Sequence, residues 1–242
     1  MPVTQGYAVV SCHVERVNDD RVWERYVALL RRRPGGIPIA SLLRPPADGE
    51  NAEVWVARAR EAASLAPYGH HVHWTSPTHA RPTDGDPAAR VQEEGAWFRA
   101  HNLEPRFFCG GGWFTDVSVA EAVADLGYID CTALAWRPTY LAAGEPWVEL
   151  DQPAWVRLPS GRDLLTIPTT HSFGMLARSI AKALPPVVHM HFHDYELLDR
   201  RRAVAIDAVL RLLALRRRPV ALGEVPATTE ADFRSIWRGE EA

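Results

Sequence analysis

Residues 185–196 read PPVVHMHFHDYE, and this stretch indicates how the rest of the chain folds. The apolar run that opens it is typical of a buried strand. Side chains alternate between the two faces of a strand, so the imidazoles of His189, His191 and His193 are expected on one side. Clustered histidines are common in metal and proton-transfer sites, and the alternative is a set of hydrogen-bonded core residues.

Outward from this stretch, short apolar runs alternate with helix-like segments along most of the chain. The predicted strands are 7–12, 37–43, 70–74, 106–109, 128–132, 164–168, 187–193 and 219–222, and the predicted helices are 21–33, 53–65, 87–102, 117–126, 172–183 and 200–215. The connections are too long for hairpins, which indicates a parallel sheet with helices outside it. Seven or eight such units predict an α/β fold of the (β/α) barrel type.

A chain of 242 residues fits one barrel, and we expect residues 1–242 to form a single domain. Between about 133 and 163 the alternating pattern is lost. That segment is rich in Pro, Trp and Gly, and it is interpreted as an irregular insertion, either a hairpin or a long loop. The residues after Glu224 are interpreted as a polar tail.

Composition excludes several classes of function. The net charge is −3 and the charged residues are scattered, so no nucleic-acid surface is indicated. The three cysteines are far apart in sequence, which predicts neither a disulfide framework nor a CxxC zinc site. No signal peptide and no membrane-spanning run is seen, so we expect a cytoplasmic protein without a membrane partner. The sequence gives no indication of the oligomeric state.

Reactive side chains follow several predicted strands. They are His13 and Glu15, His71 and His73, the glycines after Cys109, His171, and His191 to His193. Because the carboxyl ends of barrel strands open onto one mouth, we expect these groups to form one site. A carboxylate with two imidazoles is the open arrangement that a catalytic divalent metal needs. Glu15, His71 and His73 are therefore candidate ligands, and His79 in the following loop is either a further ligand or a surface residue.

Glycines and tryptophans at strand ends are candidate substrate-binding residues. Gly110 and Gly111 let the backbone approach a ligand and supply an N–H to a developing oxyanion, or they form a tight turn. Trp74 and Trp113 either stack on a sugar ring or pack at the rim of the barrel. His191 is expected either to orient a neighbouring group or to line the floor of the same pocket.

The chain resembles the polysaccharide deacetylase family, the NodB-homology or carbohydrate esterase family 4 group, over roughly residues 6–223. The resemblance is carried by SCHVE (11–15), PYGHHVHWTSP (67–77), RFFCGGGW with TD (106–116), LGYIDCTA (126–133), IPTTHSFG (167–174) and HFHDYE (191–196). It implies a distorted (β/α)7 barrel. It also implies metal-dependent removal of N-acetyl groups from amino sugars.

The resemblance also implies roles for individual residues. His71 is similar to the family's first metal-binding histidine, and either His73 or His79 is similar to the second. Glu15 stands where the DVE variant of the first motif has its carboxylate. His193 matches the histidine that acts as general acid.

Two positions depart from the family pattern. His13 stands where the family has its aspartate base, and Cys109 stands where it has the arginine that pairs with that aspartate. The changes are physically coherent, because an arginine beside an imidazole base would disfavour the protonated imidazole. They leave open a histidine base, a third imidazole ligand or lost activity, and Asp19 or Asp20 is an alternative source of a carboxylate.

The resemblance and the candidate residues together predict a metal-dependent deacetylase or amide hydrolase. We expect a divalent metal, zinc in particular, and a small intracellular N-acylated sugar or similar metabolite as substrate. His13 would help to deprotonate water, and His193 would protonate the leaving amine. The alternatives are a catalytically silent barrel that binds a carbohydrate or metal, and a hydrolase of another C–N bond such as a cyclic amide.

Overall fold

The computed structural model describes residues 6–76 and 79–239. Its strands are β1 (Tyr7–Val14), β2 (Ile39–Leu43), β3 (Tyr68–Val72), β4 (Phe107–Gly110), β5 (Ile129–Asp130), β6 (Trp147–Val148), β7 (Ala154–Arg157), β8 (Asp163–Thr166), β9 (His171–Ser172), β10 (Val187–His193), β11 (Arg218–Pro219), β12 (Thr229–Asp232) and β13 (Trp237–Arg238). Its helices are α1 (Asp20–Arg32), α2 (Ala52–Leu65), α3 (Pro87–Ala100), α4 (Val117–Asp125), α5 (Phe173–Ser179), α6 (Arg200–Arg216) and α7 (Phe233–Ile236). Pro77, which closes the predicted motif at 67–77, lies outside the described residues.

A polar side chain caps the start of each of these seven helices. The caps are Asp19, Asn51, Asp86, Asp116, Ser172, Asp199 and Asp232. In each case a side-chain oxygen accepts a hydrogen bond from a backbone N–H of the first turn, which otherwise has no partner within the helix. Within the described chain, none of the helices combines the length and apolar character that a membrane crossing requires.

The chain forms two compact units, and each is made of two separated segments. The first unit takes the described residues of Met1–Tyr68 and Thr170–Val225, and the second takes those of Gly69–Thr169 and Pro226–Ala242. The prediction that residues 1–242 form one domain stays a prediction.

The sheet of the first unit is parallel throughout. Its strand order is β9-β10-β1-β2, and β11 also pairs with β1. Strand β1 is buried on both faces, as is usual for a central strand of a parallel sheet that helices cover. The register of β1 with β10 pairs Ser11 with His191 and His13 with His193. The carboxyl ends of these two strands therefore lie side by side.

The sheet of the second unit is mixed. Its strand order is β3-β4-β5-β8-β7-β12, in which β7 and β8 are antiparallel and the other pairs are parallel. Strands β6 and β13 form a separate antiparallel pair. The antiparallel pairing of β7 and β8 departs from the simple βα alternation that the sequence predicts.

Two segments that lack a local pattern in the sequence are structured. Strands β6 and β7 lie inside the predicted irregular insertion at about 133–163, and β12, α7 and β13 lie in the predicted polar tail. In the tail, Phe233 and Ile236 join the buried core of the second unit. The insertion thus ends in the antiparallel hairpin of β7 and β8, the first of the two expected forms, and the segment after Glu224 contributes apolar side chains to the core. Strands β12 and β13 pair with partners far away in sequence, β12 with β7 and β13 with β6, and no local pattern marks such pairing.

Candidate active site

The ends of β1 and β10 bring two histidines and a glutamate together in the first unit. The rings of His13 and His193 lie edge to face, with centroids 5.2 Å apart. Glu15 directly follows β1, and ligand atoms of Glu15 and of both imidazoles lie within 4.8 Å of one another. His13 is 3% exposed, whereas Glu15 and His193 are half-buried. Such a cluster has the groups needed to hold a divalent ion or to transfer protons.

The three histidines of β10 have different surroundings. His189 is fully buried, and its Nε2 lies 2.9 Å from Ser11 Oγ. The buried ring of His191 stacks on His13, with centroids 5.4 Å apart. The half-buried ring of His193 stacks on Tyr195 at 5.0 Å. The burial of the three imidazoles therefore decreases along β10. His193, the most exposed of the three, is the one predicted to act as general acid.

A buried carboxylate that sequence reasoning missed fixes this corner of the unit. Asp194 is fully buried and accepts hydrogen bonds from the backbone N–H groups of Arg16, at 2.9 Å, and Tyr195, at 2.8 Å. Burial raises the pKa of this carboxyl to about 6, and the backbone donors oppose that rise. Asp194, which directly follows β10, thereby holds the backbone of Arg16, which directly follows Glu15. Its position directly after the histidine strand was the available signal.

The other acidic residues near β1 have structural partners. Asp19 caps α1, and Asp20 pairs with Arg58. Glu196 accepts from the His193 backbone N–H at 3.0 Å and pairs with Arg202 at 2.6 Å. A carboxylate base from Asp19 or Asp20, the alternative left open by the sequence, is therefore not supported.

His71 and His73 form a close pair in the second unit. The prediction placed His73 inside a strand at 70–74, but β3 ends at Val72, and His73 follows it directly. The Nε2 atoms of the two rings are 3.2 Å apart. His71 Nδ1 lies 2.9 Å from the carbonyl oxygen of Cys109. Because a carbonyl can only accept, this nitrogen carries the proton and donates it, and the Nε2 lone pair of His71 points toward His73.

This pair fits a tetrahedral metal ion. Two nitrogens bound at about 2.0–2.1 Å with tetrahedral angles are separated by about 3.3 Å, close to the observed 3.2 Å. A carbonyl that orients the second ring nitrogen, as Cys109 does for His71, is the usual support of a metal-binding histidine.

The neighbouring histidines are placed differently. His79 is exposed and belongs to a tight turn in which its N–H donates to Ser76 O at 3.0 Å. His70 is fully buried, and its Nε2 lies 2.7 Å from Glu94 Oε2. The described contacts thus place His73, and not His79, beside His71.

The glycines after β4 make a turn that a larger residue could not form. Gly112 has φ +58°, and a Cβ added at Gly110 would overlap the carbonyl oxygen of Phe114. A Cβ at Gly111 would overlap the carbonyl oxygen of Val72 and lie 2.6 Å from that of Ala80. The Gly110 N–H donates to Thr132 Oγ1 at 2.9 Å, so this N–H already has an acceptor.

We expect Gly111→Ala to lower the free energy of unfolding by about 2 kcal/mol, because two backbone segments must move to admit the methyl group. Gly174→Ala is the matched control. Its added Cβ would approach nothing closer than 3.6 Å, inside helix α5, where Ala is favoured over Gly. Urea unfolding of both variants measures the difference. Equal stability of the two variants would show that the turn tolerates a side chain.

The two predicted stacking tryptophans differ in exposure. Trp74 is 4% exposed, its Nε1–H donates to Gly111 O at 3.1 Å, and its ring packs against Phe114. A sugar cannot stack on a ring that is covered in this way, so that predicted role of Trp74 is not supported. Trp113 is half-buried and lies against a small apolar cluster that includes Leu134 and Trp147.

The buried thiols are poor nucleophiles. Burial is the main cause that raises the pKa of both Cys12 and Cys131 well above the usual thiol value. Their reactive thiolate forms are therefore disfavoured. All three cysteines are free and buried. Burial also raises the pKa of Asp130 to about 6, although Thr132 donates to its carboxylate.

The predicted site residues thus fall into two described groups. His13, Glu15, His191 and His193 come together in the first unit. His71 and His73 come together in the second, which also holds Gly110, Gly111 and Trp113 after β4.

Comparison with known proteins shows the fold. None of the protein-family models searched matches the sequence, and no curated protein matches it. A family 4 carbohydrate esterase from Streptomyces lividans, solved with acetate, superposes with a TM-score of 0.53 at 11% identity, covering 93% of this chain and 98% of the esterase. The chain has the fold of the family 4 carbohydrate esterases.

A second structure supports this esterase fold. The chitin deacetylase from Colletotrichum lindemuthianum gives a TM-score of 0.52 at 13% identity, covering 99% of this chain and 94% of the deacetylase. The predicted fold class, α/β of the distorted (β/α)7 type, is confirmed. The 4-alpha-glucanotransferase from Thermococcus litoralis also matches, with a TM-score of 0.57 at 10% identity, covering 93% of this chain and 39% of that enzyme. Since a glucanotransferase shares it, the esterase fold alone does not determine the reaction.

Proposed function

We propose that the protein is a metal-dependent deacetylase that removes an N-acyl group from an amino sugar or a related small metabolite. The observation that carries the proposal is the His71–His73 pair, with Nε2 atoms 3.2 Å apart and Nδ1 of His71 fixed on Cys109 O. The likeness in fold to an esterase and a chitin deacetylase supports the same class of reaction.

For the metal, we propose that His71, His73 and Glu15 are the ligands and that zinc is the ion. His79 is the alternative to His73, and its exposed place in a turn makes it the weaker candidate. Two imidazoles and a carboxylate are a common ligand set of catalytic zinc. When bound, such an ion polarises an acyl oxygen and lowers the pKa of water.

The proton transfers are proposed for the histidines of the first unit. His13 accepts a proton from the attacking water, and His193 donates one to the leaving amine. Their rings are 5.2 Å apart, and this proximity supports a joint role for them in the proposed proton transfers. The different exposure of the two rings is consistent with these two roles. His13 is buried, whereas the half-buried His193 can reach a leaving group that must depart toward solvent.

Two further parts of the proposal concern the substrate. A backbone N–H between Cys109 and Gly111 would donate to the developing oxyanion, with Trp113 and His191 contacting the sugar. Because the Gly110 N–H is held by Thr132, the donor must be another N–H of this turn. We propose that the substrate is a small intracellular molecule and that the protein is cytoplasmic. Assays of acetate release from N-acylated monosaccharides and from polymers would test the proposed size of the substrate.

The test is the metal content of the protein, together with acetate release from N-acetylated sugars. We expect about one zinc per chain, and we expect His71→Ala and His73→Ala each to weaken metal binding at least about tenfold. His101→Ala is the matched control, since this imidazole stacks on Trp97 and its Nδ1 lies 2.8 Å from Trp97 O. A wild-type protein that binds no metal, or a His71→Ala variant with unchanged metal affinity, would refute the proposal.

The same assays separate two alternatives. Tight sugar binding without acetate release across an acyl-sugar panel would indicate a silent barrel that binds a carbohydrate or metal. This alternative rests on His13 and Cys109, the two positions that depart from the pattern of the polysaccharide deacetylase family. Release of a product other than acetate, identified by mass spectrometry, would indicate hydrolysis of another C–N bond such as a cyclic amide.

A further inference from the structure

An exposed tryptophan lies at the centre of a three-stranded surface in the second unit. Along β7, Ala154 and Val156 point into the core, whereas Trp155 and Arg157 point to solvent. Trp155 is 46% exposed. Strand register places Glu230 of β12 on one side of the indole and Leu165 of β8 on the other.

A second row of side chains lies beside the tryptophan on the same face. Arg157 stands between Asp232 of β12 and Asp163 of β8. Its Nε is 2.7 Å from Asp163 Oδ1, and its Nη1 donates to Gly161 O at 2.9 Å. The guanidinium is therefore held in place by two acceptors. Asp232 Oδ1 accepts from the Arg234 N–H at 2.9 Å, which fixes that carboxylate as well.

A cavity of about 520 Å³ is lined by Trp155, Arg157, Asp163, Glu230, Ala231 and Asp232. Its volume is within the range of roughly 300–1,000 Å³ typical of small-molecule sites. One wall is a flat aromatic ring, and the other walls carry carboxylates and a guanidinium. The cavity thus combines a single apolar face with a rim of donors and acceptors.

This combination matches the chemistry of a pyranose ring. The C–H face of a sugar is apolar and stacks on an indole, while its hydroxyl groups donate to carboxylates and accept from a guanidinium. A wholly apolar ligand would displace water from the charged rim without replacing the hydrogen bonds that this water makes, which is costly. We propose that this cavity binds one pyranose unit of an oligosaccharide, stacked on Trp155.

The proposal goes beyond the proposed function, because none of its residues is assigned to metal binding or catalysis. It concerns binding alone and requires no turnover. It can therefore be tested in the His193→Ala background, where the proposed reaction is blocked and the sugar stays intact.

The experiment is a two-dimensional ¹⁵N–¹H titration of the full chain with tetra-N-acetylchitotetraose and, separately, with cellotetraose. We expect the Trp155 indole N–H resonance, assigned by its absence in Trp155→Ala, to shift with at least one of these sugars. Calorimetry should show affinity lowered about tenfold or more in Trp155→Ala, as for the loss of an aromatic anchor. Trp155→Tyr keeps an aromatic face and should retain most of the affinity.

Leu215→Ala is the control for an unrelated exposed apolar side chain, 80% exposed on α6, and should bind as the parent does. Thermal unfolding of Trp155→Ala should match the parent, because the removed ring covers little core. The proposal is overturned if neither sugar shifts the indole resonance, or if Trp155→Ala binds both as tightly as the parent. Acetate release bears only on the proposed function, so the two can fail separately.

Discussion

His193→Ala is expected to lower kcat for acetate release by about 10²–10⁴-fold, the usual contribution of a positioned general acid. The imidazole stands at the end of β10, half-buried, edge to face with His13 and stacked on Tyr195. A leaving amine without a proton donor must depart as a poor leaving group, so the loss should appear in kcat. Acetate release from an N-acetylated amino sugar, followed under saturating substrate, measures it.

Two comparisons make the His193 result specific. His193→Gln keeps a polar side chain of similar length but cannot titrate, and it should be as impaired as the alanine variant. His101→Ala should keep the parent activity. Activity of His193→Ala within about threefold of the parent would contradict the assigned role, whatever the metal content. Unchanged zinc content in His193→Ala would show that the loss is not a loss of the metal.

Asp194→Ala is expected to lower the free energy of unfolding by about 3 kcal/mol. The carboxylate is fully buried and accepts from the N–H groups of Arg16 and Tyr195. Removing it leaves two donors without an acceptor, at about 1–3 kcal/mol each, which outweighs the relief of removing a carboxyl that burial disfavours. Urea unfolding at pH 7 measures the change.

Asp194→Asn is the matched control. Its amide removes the charge that burial penalises and keeps one acceptor oxygen, but its NH2 group faces the second backbone N–H, so we expect a loss of about 1–2 kcal/mol, smaller than for alanine. Asp194→Ala with a loss equally small would show that the two backbone N–H groups find other partners. Because Arg16 adjoins Glu15, the alanine variant should also bind metal more weakly than the asparagine variant.

The alternation of strands and helices could be read from the sequence because its signals are local. Buried parallel strands are continuous apolar runs, and helices carry their caps, such as Asp19 before α1 and Asn51 before α2, within the same few residues. Strands β7 and β12 carry no such signal. Each is four residues long, and their pairing with each other joins segments more than 70 residues apart in sequence.

The candidate site was predictable in residue type but not in contacts. Imidazoles and a carboxylate at strand ends could be recognised, since strand polarity alone puts them at one edge. The neighbour of His13 depends on the register of β1 against β10, which no local pattern fixes. Trp74 shows the same limit, because its burial results from contacts with Gly111 and Phe114.

The interleaving of the two units has a consequence for synthesis on the ribosome. Residues 6–68 cannot complete the first unit until the segment that begins at Thr170 has been synthesised. Strand β10, which lies beside β1, is made more than 170 residues after β1 begins. The second unit likewise cannot be completed until β12 and α7 have been synthesised. Until β10 has been made, a growing chain therefore exposes unpaired backbone N–H and C=O groups on one edge of β1, where pairing with another chain competes with correct folding.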